Sequence, residues 1–170
     1  TTGDAVAFAT DVTLNGGAAG LVSIDTTNAG GSTAGNNITF SGKLDATTAA
    51  ANAEKLTVDA GTLGNVLFTG AVGTTRLGDV RITNANNVTE SAGLIAHSLT
   101  QVAGGGTTLL TGAVNTDTAT GVALTTSAIT ANNTITTTTG GTVTFTNAGL
   151  LTLNGDISSD GAVTQNGAGA

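Results

Sequence analysis

The stretches Val66-Leu-Phe-Thr-Gly-Ala-Val72 and Thr108-Leu-Leu-Thr-Gly-Ala-Val114 have nearly the same sequence. Related versions are Ile38-Thr-Phe-Ser-Gly-Lys-Leu44 and Leu151-Thr-Leu-Asn-Gly-Asp-Ile157, and Val12-Thr-Leu-Asn-Gly16 is a degenerate version. In the related versions Ile38-Thr-Phe-Ser, Leu151-Thr-Leu-Asn and Val12-Thr-Leu-Asn, polar and apolar residues alternate, which places the two kinds of side chain on opposite faces of a strand. Each stretch therefore predicts a short strand that ends at a glycine.

A second motif, an apolar–polar–apolar triplet, precedes the first motif in the repeating unit. Its clear copies are Val22-Ser23-Ile24, Leu56-Thr57-Val58, Val80-Arg81-Ile82, Val122-Ala123-Leu124 and Val143-Thr144-Phe145, and its weaker copies are Val6-Ala7-Phe8, Leu99-Thr100-Gln101 and Val163-Thr164-Gln165. From position 56 the copies start at 56, 80, 99, 122, 143 and 163, so the unit has roughly 20 residues. The longer step from 22 to 56 contains 28–37, which predicts a loop inserted between Ile24 and Ile38.

The two motifs recur at nearly the same distance from each other in successive units. This predicts an all-β protein, a parallel β-helix (β-solenoid) of about seven to eight coils. One coil cannot bury its apolar face, whereas stacked coils pair like strands in parallel and form a continuous core. At about 4.8 Å per coil the stack would be on the order of 35 Å long. We expect residues 1–170 to form a single continuous segment, uncapped at both ends, of a longer array or of an end-to-end assembly. The glycines after the strand motif are expected to supply the backbone angle of a corner, at Gly42, Gly70, Gly112 and Gly155.

Two other folds compete with the solenoid. Helix is disfavoured because Gly, Thr, Asn and Val are weak helix formers, and the only local candidate, Thr47 to Lys55, is expected in a loop with at most one helical turn. An antiparallel sandwich would suit turn signals every 8 to 12 residues. It does not explain why the same pair of motifs returns in each unit.

The composition excludes several functions. The net charge of −7 argues against nucleic-acid binding and against electrostatic binding to anionic lipid, both of which need a basic face. The absence of Cys excludes disulfides and thiolate metal sites, and no apolar run is as long as a membrane span. We expect no cofactor. The chain contains no Met and begins at Thr1, which is typical of an interior segment or a processed product.

Candidate site residues are few. Asp25 and Asp59 follow the triplet at the same position, so they are weak calcium candidates, but solvated turn aspartates are the favoured interpretation. Thr83, Thr125 and Thr146 are expected to take that position in later coils. His97 is the only histidine and is interpreted as structural or exposed. No catalytic residue is predicted.

Threonine and asparagine patterns suggest two further functions. The outward positions of the triplet are Ser23, Thr57, Arg81, Thr100, Ala123, Thr144 and Thr164. A flat array of threonines would indicate ice binding, but an Arg and an Ala interrupt this column. Asn37, Asn87 and Asn132 match the glycosylation acceptor pattern, and we interpret them as turn asparagines in stacked amide ladders.

The repeated blocks, including ITFSGKL, VLFTGAV and LTLNGDISSDGAVTQNGAG, resemble filamentous-haemagglutinin-type adhesins and giant autotransporter-like surface proteins of bacteria. The resemblance implies a right-handed parallel β-helix that is secreted and projects from the cell surface. The expected function is thus a non-enzymatic extracellular stalk or filament segment. Its expected partners are neighbouring coils or identical subunits end to end, surface glycans and cell receptors. The alternative is a polysaccharide-processing enzyme on the same fold, which would need carboxylates and a basic partner on adjacent coils.

Overall fold

The computed structural model describes residues 3–16, 20–48 and 53–169, which form nineteen strands and no helix. These described residues contain no helix long and apolar enough to cross a membrane. The strands are β1 (Val6–Phe8), β2 (Val12–Leu14), β3 (Leu21–Asp25), β4 (Ile38–Phe40), β5 (Leu44–Ala46), β6 (Lys55–Asp59), β7 (Val66–Phe68), β8 (Val72–Asn84), β9 (Val88–Glu90), β10 (Leu94–Gln101), β11 (Thr107–Leu110), β12 (Val114–Thr116), β13 (Val122–Thr126), β14 (Ala128–Ala131), β15 (Ile135–Thr137), β16 (Val143–Asn147), β17 (Leu151–Leu153), β18 (Ile157–Ser159) and β19 (Val163–Asn166).

The strands stack as a parallel β-solenoid with three faces. The first face is a seven-stranded sheet in the order β1-β4-β7-β9-β11-β14-β17. A twelve-stranded sheet supplies the other two faces, because the long strands β8 and β10 run from one face to the next. The second face contains β2, β5, β12, β15 and β18, and the third contains β3, β6, β13, β16 and β19. Each of these pairings joins strands of successive coils in parallel, for example Val22 to Leu56 and Val122 to Val143.

The predicted parallel solenoid is confirmed, and the antiparallel sandwich is excluded because the strand pairs of the described chain are parallel. Residues 26–37 between β3 and β4 contain no strand, which confirms the predicted insertion. Of the helical candidate Thr47 to Lys55, positions 49–52 lie outside the described residues. Lys55 already belongs to β6, so the end of that candidate is a strand.

The assignment of two motif copies is wrong. Val6–Phe8 resembles the triplets of the third face in sequence, but it pairs with Ile38–Phe40 on the first face. Val12–Leu14 resembles the strands of the first face, but it pairs with Leu44–Ala46 on the second. A three-residue alternation looks the same on every face, so only the pairing between coils distinguishes them.

The core is a narrow column of inward side chains that runs along the stack. Phe40 and Phe68 are each 1% exposed, and their rings stack at 5.3 Å between centroids. Phe8 stacks on Phe40 at 4.9 Å and extends this column toward one edge. Next in register after Phe68 comes Glu90, which is 1% exposed, and then Leu110. A buried carboxylate therefore continues the aromatic column.

The glycines that follow the strands of the first face serve close approach between coils. The expectation that they supply an unusual backbone angle is wrong, because none of Gly42, Gly70, Gly112 and Gly155 has a positive φ. A Cβ added at any of the four would lie 2.1 to 2.4 Å from backbone atoms of the neighbouring coil. The spacing of the parallel ladder leaves no room for a side chain at these corners.

Substitution of Gly70 with alanine is expected to lower the free energy of unfolding by about 2 kcal/mol, because the added methyl overpacks the corner. Its Cβ would stand 2.4 Å from the carbonyl carbon and oxygen of Gly42, a backbone group that cannot rotate away. Urea denaturation measures the change. Gly105→Ala is the matched control, since its nearest neighbour would be a side-chain oxygen of Asn86 at 3.6 Å. Equal losses in the two variants would contradict close packing as the cause.

Candidate functional site: a polar cluster around an insertion in one coil

One coil carries extra residues within its second face. Strand β8 pairs with β10 at Val72↔Leu94 and again at Leu77↔Ala96. Between these pairs β10 has the single residue Ile95, whereas β8 has the four residues 73–76. We call residues 73–76 the β8 insertion. Such irregularities often re-aim side chains and lie beside functional sites.

The β8 insertion is anchored on one side by Asp45, which lies on the neighbouring coil. The Thr74 hydroxyl donates to both carboxylate oxygens of Asp45 at 2.8 Å, and the Thr75 amide donates to Oδ1 at 2.8 Å. Gly73 opens the insertion with φ of 76°, and an added Cβ would lie 1.9 Å from the Ile95 carbonyl oxygen. Glycine is therefore required where the chain leaves the ladder.

On its other side the β8 insertion extends over the next two coils through Arg76. Its Nη1 donates to the carbonyl oxygen of Ala96 at 2.7 Å, and its Nη2 donates to Asn115 Oδ1 at 2.6 Å. Its Nε lies 3.3 Å from Asp117 Oδ2, and Asp117 Oδ1 lies 2.6 Å from His97 Nδ1. These groups are partly buried, so their interaction is screened less than that of a fully exposed pair.

A second ion pair lies one face away, around Asp79. Lys55 Nζ lies 2.9 Å from Asp79 Oδ2, and the Ser98 hydroxyl donates to Asp79 Oδ1 at 2.8 Å. Burial raises the pKa of Asp79, but the hydrogen bonds from Lys55 and Ser98 outweigh it and hold that pKa below its ordinary value of 3.8. Asp79 thus connects the coil before it to the coil after it.

The lowered pKa predicts how acid affects stability. A carboxyl whose pKa is lower in the folded chain stabilises it fully above the unfolded pKa, near 3.8, and loses this effect as the pH falls further. Asp79→Asn should therefore lower stability at pH 7, by less than about 1 kcal/mol because the pair is half exposed, and have a smaller effect at pH 3. Thermal unfolding at the two pH values measures this. Asp156→Asn, at another exposed aspartate, is the control, and an Asp79→Asn effect that does not shrink in acid would contradict the prediction.

The charged side chains around the β8 insertion connect neighbouring coils by forming ion pairs and hydrogen bonds with one another. Both carboxylate oxygens of Asp79 and of Asp117 have a partner among Lys55, Ser98, Arg76 and His97. Within the described ranges, no group of three or more His, Asp or Glu side chains is placed to hold a metal ion. These contacts therefore tie neighbouring coils to one another.

Asp25 and Asp59 are brought together as expected, since they are paired in register on the third face. Each carboxylate, however, is directed to its own turn. Asp25 Oδ1 accepts the hydroxyl and the amide of Thr27, both at 2.6 Å, and these hydrogen bonds lower its pKa against the opposite effect of burial. Asp59 Oδ1 accepts the Gly61 amide at 3.0 Å. The next residue in the column is Asn84 and not Thr83, because the register shifts after Val58.

The outward residues of the triplets form the expected column on the third face. Ser23 pairs with Thr57, and Thr57 with Arg81. Thr100 lies between Arg81 and Ala123. The interruptions anticipated from the sequence therefore lie in the middle of the column, and the threonine array is not continuous.

The three asparagines of the glycosylation pattern lie in amide ladders between coils. Asn65 Nδ2 donates to Asn37 Oδ1 at 3.1 Å, and Asn87 Nδ2 donates to Asn65 Oδ1 at 2.9 Å. On a later corner Asn154 Nδ2 donates to Asn132 Oδ1 at 2.8 Å. Their interpretation as stacked turn asparagines is confirmed. Such ladders satisfy side-chain amides along the stacking direction.

The sequence did not reveal the cluster around the β8 insertion. His97 contacts Asp117, a carboxylate that the sequence analysis did not place beside it. Glu90 is buried, where its Oε1 accepts the Ala92 amide at 2.8 Å and its Oε2 accepts the Gly112 amide at 3.1 Å. A search for charged pairs one coil apart would have found His97 and Asp117, since the unit has roughly 20 residues.

Comparison of the chain with protein-family models, with curated proteins and with solved structures finds no match.

Proposed function

We propose that this chain is a structural segment of an extracellular stalk or filament, a right-handed solenoid of seven to eight coils that carries no enzymatic activity. The observation behind the proposal is that several of the few charged side chains connect one coil to the next. Lys55, Arg76, Asp79 and Asp117 tie neighbouring coils to one another on the outside of the stack. A chain whose charges connect successive coils is suited to bear load along the stacking direction.

The interior supports the same proposal. A column of inward Phe, Leu, Ile and Val, which contains the buried carboxylate of Glu90, gives the stack a core along its length. Parallel ladders and asparagine ladders add hydrogen bonds in the stacking direction. Solenoids of this kind present long surfaces that need no central pocket. The proposed location is the bacterial cell surface, and surface glycans or cell receptors are the proposed ligands when the segment acts in adhesion.

Antibodies raised against this chain test the proposal by immunogold electron microscopy of the producing cells. We expect gold particles on rods or fibres that project from the cell surface. Label confined to the cell interior, or to compact particles, would overturn the proposed role. The same antibodies should block attachment to glycan-coated surfaces if the segment contributes to adhesion.

A polysaccharide-processing enzyme is the second candidate, because Arg76 and His97 meet Asp117 across adjacent coils. Glycan cleavage assays with and without calcium separate it from the structural role. Turnover that is abolished by Asp117→Asn, or by Asp25→Asn with Asp59→Asn, would establish the enzyme and refute the structural segment. Ice binding is a weaker alternative because Arg81 and Ala123 interrupt the threonine column.

A further inference from the structure

Arg81 is the exception among the charged side chains of strand β8. On the same strand, Asp79 forms an ion pair with Lys55, and Arg76 lies beside Asp117. Within the part of the chain that the structure describes, no hydrogen bond or ion pair engages the guanidinium of Arg81, and the residue is exposed. Arg81 therefore takes no part in the ties between coils, and its N–H donors are available to a ligand.

Arg81 lies in the middle of the third face, in the outward column of the triplets. Its strand partners are Thr57 on the preceding coil and Thr100 on the following coil. Adjacent strands are about 4.8 Å apart, so a ligand held by the guanidinium can also reach the threonine hydroxyls on either side. Beyond Thr100 the column continues with Ala123, whose small side chain leaves space above the face. The two residues that interrupt the threonine column therefore combine a cation with an open surface.

A depression of about 260 Å³ lies beside Arg81 on this face. The residues that line it are Asp79, Val80, Arg81, Ser98, Thr100 and Thr120. Three of these six residues carry hydroxyl groups, and Val80, the apolar member of the set, is 0% exposed. A ligand in the depression is therefore held by hydrogen bonds and by charge, and not by apolar contact.

The depression carries a positive charge although a carboxylate lines it. Asp79 Oδ2 lies 2.9 Å from Lys55 Nζ, and its Oδ1 accepts the Ser98 hydroxyl at 2.8 Å, so the charge of Asp79 is compensated. The guanidinium of Arg81 then leaves one positive charge here, in a chain whose net charge is −7. One cation is not the basic patch that a nucleic acid requires. It does suit a single carboxylate, which can accept two parallel hydrogen bonds from a guanidinium.

We propose that this depression binds a sugar that carries a carboxylate, a uronic or a sialic acid, within a surface glycan. The guanidinium of Arg81 binds the carboxylate, and the hydroxyls of Thr57 and Thr100 bind hydroxyl groups of the sugar on either side. The inference rests on the proposed function in its adhesive form, and it gives that function a class of glycan and the residues that bind it.

A protein partner fits the depression less well than a sugar does. Protein interfaces draw most of their affinity from a few aromatic, apolar or arginine anchors that fill well-packed pockets. Among the described residues that line the depression, none presents an exposed apolar side chain against which such an anchor could pack. The hydroxyl groups of a sugar ring instead match the hydroxyls of Ser98, Thr100 and Thr120.

Nuclear magnetic resonance titration of the isotope-labelled chain tests the site, since it detects weak binding at individual amides. The probes are methyl β-glucuronide and methyl α-sialoside, and methyl β-glucoside is the control that lacks the carboxylate. A ligand of this size is expected to bind with a Kd on the order of 1 mM. At least one of the two acids should shift the amide signals of Thr57, Arg81 and Thr100, whereas the glucoside should not.

Variants locate the binding groups. Arg81→Gln should weaken binding of the responding acid by about tenfold or more, because it removes charge-assisted hydrogen bonds. Arg81→Lys should recover only part of this loss, because an ammonium lacks the planar fork of the guanidinium. Lys43→Gln removes the same charge from an exposed position outside the depression and should bind like the wild type. Thr100→Val should weaken binding, whereas Thr144→Val, two coils further along the same column, should not.

Three results would overturn the inference. The first is the absence of shifts at the three amides with either acid, and the second is wild-type affinity in Arg81→Gln. The third is an equal response to acetate, which would show that the threonine hydroxyls add nothing to the carboxylate contact. Each of these leaves a surface location by immunogold, and hence the structural function, intact. Label confined to the cell interior would refute that function without changing the outcome of the titration.

Discussion

Replacement of Glu90 by alanine is expected to lower the free energy of unfolding by about 3 to 4 kcal/mol. The Glu90 carboxylate is 1% exposed and accepts the backbone amides of Ala92, Gly93 and Gly112. Removal of the side chain leaves these donors without their acceptor inside the corner and opens a cavity beside Phe68 and Leu110. A buried donor without a partner costs about 1 to 3 kcal/mol, and the cavity adds to this loss.

Urea denaturation followed by far-ultraviolet circular dichroism measures this change. Glu90→Gln is expected to lose less, because its amide oxygen can still accept from two of the three donors. The matched control is Thr89→Ala, one residue away on the outward side of the same strand, which should change stability by less than about 0.5 kcal/mol. A Glu90→Ala variant as stable as Thr89→Ala would show that the carboxylate does not hold the corner.

Replacement of Phe40 by alanine is expected to cost about 3 to 5 kcal/mol, the usual range for a buried phenylalanine. Its ring is 1% exposed and stacks on both sides, at 4.9 Å from Phe8 and 5.3 Å from Phe68. The stacked coils cannot collapse into the void, because the parallel ladder fixes their separation. The loss therefore includes the transfer energy of the ring and a cavity term.

Phe8→Ala is the matched control, since Phe8 is the same residue type in the same column but has one neighbouring ring and lies at the edge. Its expected loss is less than half that of Phe40→Ala, as measured by the midpoint of urea denaturation. The midpoint should shift without a large change in slope if the stack unfolds cooperatively. Equal losses at the two positions would contradict the view that the column is packed more tightly inside the stack than at its edge.

The sequence predicted the architecture because the same two motifs return in successive units of the chain. The triplets at Val22, Leu56 and Val122 fall on one face, and the motifs at Ile38, Val66 and Thr108 fall on another, in the phase that the spacing required. Apolar residues at a period of two decide which side chains turn inward. The insertion between Ile24 and Ile38 was visible as one long interval for the same reason.

Where the motif is only three residues long, the sequence does not show to which face of the solenoid a strand belongs. Val6–Phe8 and Val12–Leu14 fit more than one face, and the pairing with β4 and β5 decides between them. The sequence also mispredicts the role of Gly70, because a local pattern does not show that a Cβ added there would lie 2.4 Å from the backbone of the neighbouring coil. A turn glycine and a close-packed glycine look alike in the sequence.

The sequence by itself determined that this chain repeats a unit of roughly 20 residues, buries alternate side chains and stacks as a parallel solenoid. Only the tertiary structure decided that Arg76 reaches Asp117, that His97 has a carboxylate beside it and that Glu90 caps a corner from within the core. The physical reason is that alternation acts between neighbouring residues, whereas these contacts join residues 20 to 41 positions apart only once the coils have stacked in a fixed register.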